Sequence, residues 1–141
     1  MTSLAARSTH PSRLFWLLLL LGLSACATGR PEAMAVAGSY AGTVQIESEE
    51  IPARLELRQR GDRLEGSLRL VRRLEAQGDG EITGRGLTLG LAYDQGCAGQ
   101  LVLTGRATPD GTRLEGSIRV ADCTGTVGGR FSLRRAGAAG R

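Results

Sequence analysis

The chain has no lysine and no asparagine, a single histidine (His10) and a single tryptophan (Trp16), and aromatic residues make up only 4% of its 141 residues. His10 and Trp16 both precede residue 26, so from there on neither type occurs. That stretch has no imidazole base for a nucleophilic triad and no histidine for a zinc site. Nor has it a tryptophan platform for sugars, and with Tyr40, Tyr93 and Phe131 as its only aromatics it has no stacking surface for bases. Basic residues number 18 and acidic ones 14, giving a formal charge of +4. No block of like charge marks a nucleic-acid surface. The glutamates at 47, 49 and 50 lack calcium-loop spacing, and no pair of carboxylates stands out for acid–base work. The expectation is a protein that is not an enzyme, with no catalytic residues, no metal, no cofactor and no nucleic-acid partner.

What is present divides at Cys26. Before it stand Arg7, His10 and Arg13, then an apolar run from Leu14 to Leu23, then Leu23-Ser24-Ala25-Cys26. An uninterrupted membrane span needs about 20 apolar residues, and this run meets Gly22, Ser24 and Thr28-Gly29-Arg30-Pro31 too soon. A basic head, a short apolar core and small residues form the pattern of an export signal. The last four residues resemble the lipobox of bacterial lipoproteins.

That resemblance implies that residues 1–25 are a cleaved signal peptide, that Cys26 takes a diacylglycerol thioether, and that its new amino group is acylated, typically with palmitate. More than one acyl chain is what stable anchoring requires. Ala27, rather than Asp, implies sorting to the outer membrane, with the folded part in the periplasm and the bilayer as a partner through Cys26. Without Arg7 and Arg13 the 18 basic residues become 16 against 14 acids, about +2.

Residues 26–37 show no sustained period and read as a lipidated flexible tether. From residue 38 the pattern becomes apolar at every second position, with glycine between runs, and predicts an all-β domain over 38–135 without helices. Eight strands are expected: Ser39 to Glu47, Ile51 to Arg58, Arg63 to Val71, a weak one near Gly80 to Thr83, Leu87 to Tyr93, Gln100 to Arg106, Arg113 to Val120 and Thr126 to Arg134. The inward set includes Tyr40, Gly42, Val44, Ile46, Leu55, Leu68, Leu89, Leu103, Val127, Gly129 and Phe131. Residues 136–141 read as a frayed tail.

Gly61-Asp62 suits a type II′ hairpin turn, which places Arg58 opposite Glu65. Pro109-Asp110-Gly111 is a second direct turn signal. The ten residues Gly61 to Leu70 recur as Gly111 to Val120 with seven identities, and a recurring hairpin with an inward glycine at a bend accounts for them. Two four-stranded halves predict an eight-stranded antiparallel up-and-down barrel, with two four-stranded sheets as a sandwich for the alternative.

Cys97 and Cys123 flank Asp110 symmetrically, at the open end of the hairpin it caps, so they are expected to form a structural disulfide. Gly38-Ser39-Tyr40 resembles, over those few residues, the Gly-x-Trp opening of lipocalins, with Tyr in the place of Trp. That likeness implies Arg134 as partner of the Tyr40 ring and an interior able to carry a small apolar ligand. An eight-stranded barrel is wide enough either to be filled or to hold one small ligand.

In such a meander the loops after strands one, three, five and seven share one end, away from the tether. They carry Glu49, Glu50, Arg72, Arg73, Asp94 and Gln95, expected as a binding rim on longer loops. The functional expectation is an envelope lipoprotein that binds a protein or polymer partner through this rim, with inhibition as its specific form. The alternative is a lipocalin-like carrier.

Overall fold

A computed structural model describes residues 29–137. Cys26, the segment before it and the residues from 138 on lie outside that range. Eight antiparallel strands close into one up-and-down barrel: β1 (Gly38–Ile46), β2 (Glu49–Arg60), β3 (Arg63–Leu70), β4 (Leu74–Thr83), β5 (Gly86–Tyr93), β6 (Gly99–Ala107), β7 (Arg113–Asp122) and β8 (Gly125–Arg135). Each pairs with its neighbours in sequence, and β8 returns to β1. There is no helix among the described residues.

Period-two patterning produces this directly. Along β2 the apolar residues Ile51, Ala53, Leu55 and Leu57 are buried while Pro52, Arg54, Glu56 and Arg58 face water, the alternation of a sheet with one wet face. The Gly61-Asp62 turn has Gly61 at φ 60 and Asp62 at negative φ, and its register sets Arg58 opposite Glu65 as the sequence predicts.

The interior is solid. Leu55, Leu68, Leu89, Leu101, Leu103, Leu114 and Leu133 are 0% exposed and belong to one continuous core. A hollow able to take a ligand would leave its walls accessible, and these walls are not.

Closing eight strands so tightly brings backbones together at inward glycines. A methyl on Gly116 would overlap the Thr104 carbonyl and the Gly105 Cα of β6. The equivalent glycine of the first repeat, Gly66, faces the Leu57, Leu89 and Leu91 methyls at 3.4–3.5 Å. One copy of the repeat sits at a backbone corner and the other over side chains.

Several sequence expectations need correction. Strand four begins at Leu74, not near Gly80. Gln77-Gly78-Asp79-Gly80 has turn-like composition, but Gly78 and Gly80 are inward positions against β5, where an added Cβ would overlap the carbonyls of Gly90 and Thr88. Val127 does point to the interior side, opposite buried Val120, yet is 39% exposed. The stagger of the barrel explains it. Followed around from Gly38, the partners are Leu57, Gly66, Gly78, Leu91, Leu101, Val120 and Val127. The ladder thus returns ten residues up, level with position 48 and beyond the end of β1.

The proximal end, which holds the turns β2–β3, β4–β5 and β6–β7, is sealed by the chain itself. Its turn carbonyls accept from the next strand but one: Asp62 O from Ile82 N–H, Arg85 O from Ala107 N–H and Thr112 O from Arg135 N–H, at 2.7–2.8 Å. Part of the expected tether is docked here. Met34 N–H donates to Gly84 O at 2.8 Å. The Gln59 amide accepts from Val36 N–H at 2.7 Å and donates to Met34 O at 2.9 Å. Val36 is wholly buried.

Tyr40 Oη donates to Val36 O at 2.8 Å and accepts from Arg135 at 3.0 Å, with the guanidinium 5.4 Å from the ring centroid. The partner of the ring is therefore Arg135, not Arg134. Tyr40 pairs with Arg135 in the β1–β8 register, and Arg134 faces outward.

The β6–β7 turn has the aspartate predicted for it. Asp110 Oδ1 accepts from Thr108 Oγ1, Thr112 N and Thr112 Oγ1 at 2.6–3.1 Å, and these bonds lower its pKa from 3.8 to about 2.

The two repeat glycines offer a paired measurement. Gly116→Ala should destabilise by about 1–3 kcal/mol, the usual cost of overpacking, whereas Gly66→Ala should change stability by less than about 1 kcal/mol. Urea unfolding of the two variants checks this, and equal effects would contradict the backbone corner at Gly116.

Candidate functional site

The distal end carries every residue of the expected rim, and it is built differently from the proximal one. No chain segment among the described residues crosses it. The uppermost inward side chains close it: Ile46 and Leu74 are half-buried, Tyr93 and Val120 are buried, and Val127 is exposed. An apolar floor is thus ringed by polar turns.

These turns are short. Glu47-Ser48 joins β1 to β2, residues 71–73 join β3 to β4, 94–98 join β5 to β6 and Cys123-Thr124 joins β7 to β8. They are no longer than the proximal ones, because the strands run further than the sequence suggests; β2 already includes Glu49 and Glu50, and β4 includes Leu74 and Glu75. Tight reversal puts two non-glycine residues at positive φ, Glu47 (55°) and Arg72 (61°).

Adjacent turns are tied together. Arg73 pairs with Glu49 across the β1–β2 and β3–β4 turns. The Gln95 side-chain oxygen accepts from Glu75 N–H at 3.0 Å, joining the β5–β6 loop to β4, and Glu75 also pairs with Arg69 at 3.3 Å. Cys97 and Cys123 form the predicted disulfide, with Cα atoms 6.0 Å apart, and Cys123 N–H points at Cys97 Sγ at 3.0 Å. In the chain-entropy description a loop of that span contributes about 3.5 kcal/mol.

Below the disulfide Tyr93 Oη donates to Asp122 Oδ2 at 3.0 Å, while Asp122 Oδ1 accepts from Thr124 N and Oγ1. The Thr124 hydroxyl, its N–H and Tyr93 lower the Asp122 pKa. Burial, then the bond and charge of Asp122, raise that of Tyr93.

Of the six expected rim residues, Glu49, Arg73 and Gln95 thus tie neighbouring turns together in two separate contacts. Arg72 and Asp94 stand exposed on their turns, without an ion pair among the described residues. Glu50 faces the outer wall. It lines a groove of about 590 Å³ with Thr43, Gln45, Ser117, Arg130 and Ser132.

A second groove of about 1270 Å³ lies over β2, β3 and β4, where Glu56, Arg58, Glu65, Ser67, Gln77 and Asp79 face out. Glu65 and Ser67 of one groove correspond to Glu115 and Ser117 of the other in the repeat. The repeat was the signal that could have located both. The first presents the hydroxyls of Thr43, Ser117 and Ser132 and the second that of Ser67, each with a glutamine amide and charges of both signs, a surface able to hydrogen-bond.

The Asp122 network makes a titration prediction. Because its folded pKa is depressed, Asp122 contributes stability that is fully present above its ordinary pKa and is lost as pH falls through the lower folded value. Tyr93→Phe removes one of the three donors, so the Asp122 carboxyl titration followed by NMR should move upward toward the ordinary range; an unchanged midpoint would contradict the bond.

Comparison with known proteins finds no family model that matches the chain, and no curated protein or solved structure that matches it.

Proposed function

We propose that this protein is a lipid-anchored lipoprotein of the bacterial outer membrane, with its barrel in the periplasm, and that the barrel is a non-enzymatic binding module for an envelope protein or polymer. Inhibition of the partner is the specific form of this reading. The observation that carries it is the difference between the two ends. The proximal end is closed by Met34, Val36, Tyr40 and Gln59 and receives the chain from the direction of Cys26. The distal end presents an apolar floor of Ile46, Leu74 and Val127 inside a cross-braced polar rim. Apolar centre and polar rim are the anatomy of protein interfaces, and bracing lowers the entropy cost of binding. With acylated Cys26 at the membrane, this end faces away from the lipid.

Leucine side chains fill the space that a lipocalin-like carrier would keep open, so the rim reading is preferred to that of a carrier.

One fractionation-and-capture experiment tests the proposal in two arms. Cys26→Ala should move the protein from the membrane to the soluble fraction, and its retention there would overturn the anchor. Partner capture by the tagged wild type should be lost when Arg72 and Arg73 are changed to Glu. The barrel should remain folded, since the exposed Arg73–Glu49 pair contributes at most about 1 kcal/mol. Undiminished capture by this variant would remove the rim from consideration.

A further inference from the structure

The four junctions between neighbouring distal turns are not alike. The β1–β2 and β3–β4 turns are joined by Arg73 and Glu49, the β3–β4 and β5–β6 turns by Gln95 and Glu75 N–H, and the β5–β6 and β7–β8 turns by the disulfide. Between the β7–β8 and β1–β2 turns there is no tie among the described residues. Pairing of β1 with β8 stops at Ile46 and Gly129, while β8 continues to Gly125 against β7 alone.

Backbone direction identifies what lies open. The two-residue turn closes on the pair Asp122 and Gly125. Facing groups alternate along an antiparallel ladder, so Gly125 and Val127 turn their N–H and C=O to β7. Thr126 and Gly128 turn theirs to the side that β1 has left. No backbone bond reaches either from a turn or loop. Exposed Val127 supplies an apolar contact toward the mouth. At the foot of this notch stand Glu47 on the β1–β2 turn and, on the outer wall of β2 in the groove that Arg130 also lines, Glu50, both outside any ion pair among the described residues.

We propose that this notch binds an extended, basic peptide segment of a partner protein, which adds as a strand antiparallel to β8 above Ile46. Its backbone pairs with Thr126 and Gly128, an apolar side chain covers Val127, and basic side chains meet Glu47 and Glu50. Strand addition to a free edge derives affinity from backbone hydrogen bonds and specificity from alternate side chains. This deepens the rim reading and rests on it. Free edges are usually short, charged or covered; this one is short and uncovered, and it stands at the only unbraced junction among the described residues.

The probes are two synthetic peptides of alternating valine and threonine, one flanked by arginines and one by glutamates, added to the detergent-solubilised full-length protein. The arginine peptide should bind about tenfold more tightly or better, and should slow amide exchange at Thr126 and Gly128 by a similar factor. Thr126→Pro removes an open-side donor and leaves the β7 ladder intact, so it should weaken binding about tenfold with cooperative unfolding retained. Glu47→Gln with Glu50→Gln should narrow the preference for the arginine peptide without changing the fold.

Exchange that slows elsewhere, or Thr126→Pro binding as well as wild type, would overturn the proposal. So would protection of these amides without peptide in a dimer seen by sedimentation, since a second copy would then be the occupant. If the Arg72, Arg73 variant loses its partner while Thr126→Pro keeps it, strand addition fails and the rim reading stands. If both keep the partner, the rim reading itself fails.

Discussion

Close approach of neighbouring backbones at inward glycines is the constraint on which the rest of the molecule depends. At Gly42, Gly78, Gly80, Gly105, Gly116 and Gly129 a side chain would collide with the next strand. Eight strands bent at such corners enclose one continuous core, mostly leucine with isoleucine, valine, alanine, Tyr40, Tyr93 and Phe131. Burial of each leucine, isoleucine or valine side chain contributes roughly 1.5–3 kcal/mol, so the same glycines that narrow the barrel allow its core to pack. A barrel filled in this way has spent its interior on stability. What it can offer a partner is confined to its ends and outer walls.

The two ends divide the remaining work. At the proximal end one glutamine side chain, Gln59, holds both Met34 O and Val36 N–H, and Tyr40 links Val36 O to Arg135 on the last strand. First and last segments of the described chain are thereby tied to each other. The distal end keeps its apolar floor partly open and spends its polar groups on bracing neighbouring turns. One junction among the described residues is left unbraced, and the end of β8 standing above it is a consequence of the ten-residue stagger rather than of local sequence.

Much of this architecture was legible because strand alternation is a local signal. Strand number, the inward set, the Gly61-Asp62 and Pro109-Asp110-Gly111 turns and the Cys97–Cys123 pair all follow from neighbours in sequence or from a single hairpin. The failures are all non-local. Strand four was missed over Leu74 to Asp79 because glycine and aspartate read as a turn, whereas each glycine there answers to a backbone on β5. The lipocalin likeness points to Arg134 where the partner is Arg135, because the β1–β8 register joins residues 95 apart. Val127 was assigned to the core because parity is local but stagger is global. Residues 34–37 have no period, and only the position of Gln59 makes them a seal. The rim residues were found by end and by charge, yet their division between turn-to-turn ties and outer wall depends on which way each strand faces.

The central claim is that the barrel is solid and closed proximally by its own chain, leaving the distal end for binding. Hydrogen exchange of the backbone amides of Met34 and Val36 tests it most directly. Both precede the first strand and would exchange at the free-peptide rate if they belonged to a tether. The account predicts protection comparable with that of mid-barrel amides such as Leu55 and Leu103, because Gly84 O and the Gln59 side chain hold the two N–H groups. Rapid exchange at both would mean that the proximal end is open, and the case for assigning function to the other end would fall with it.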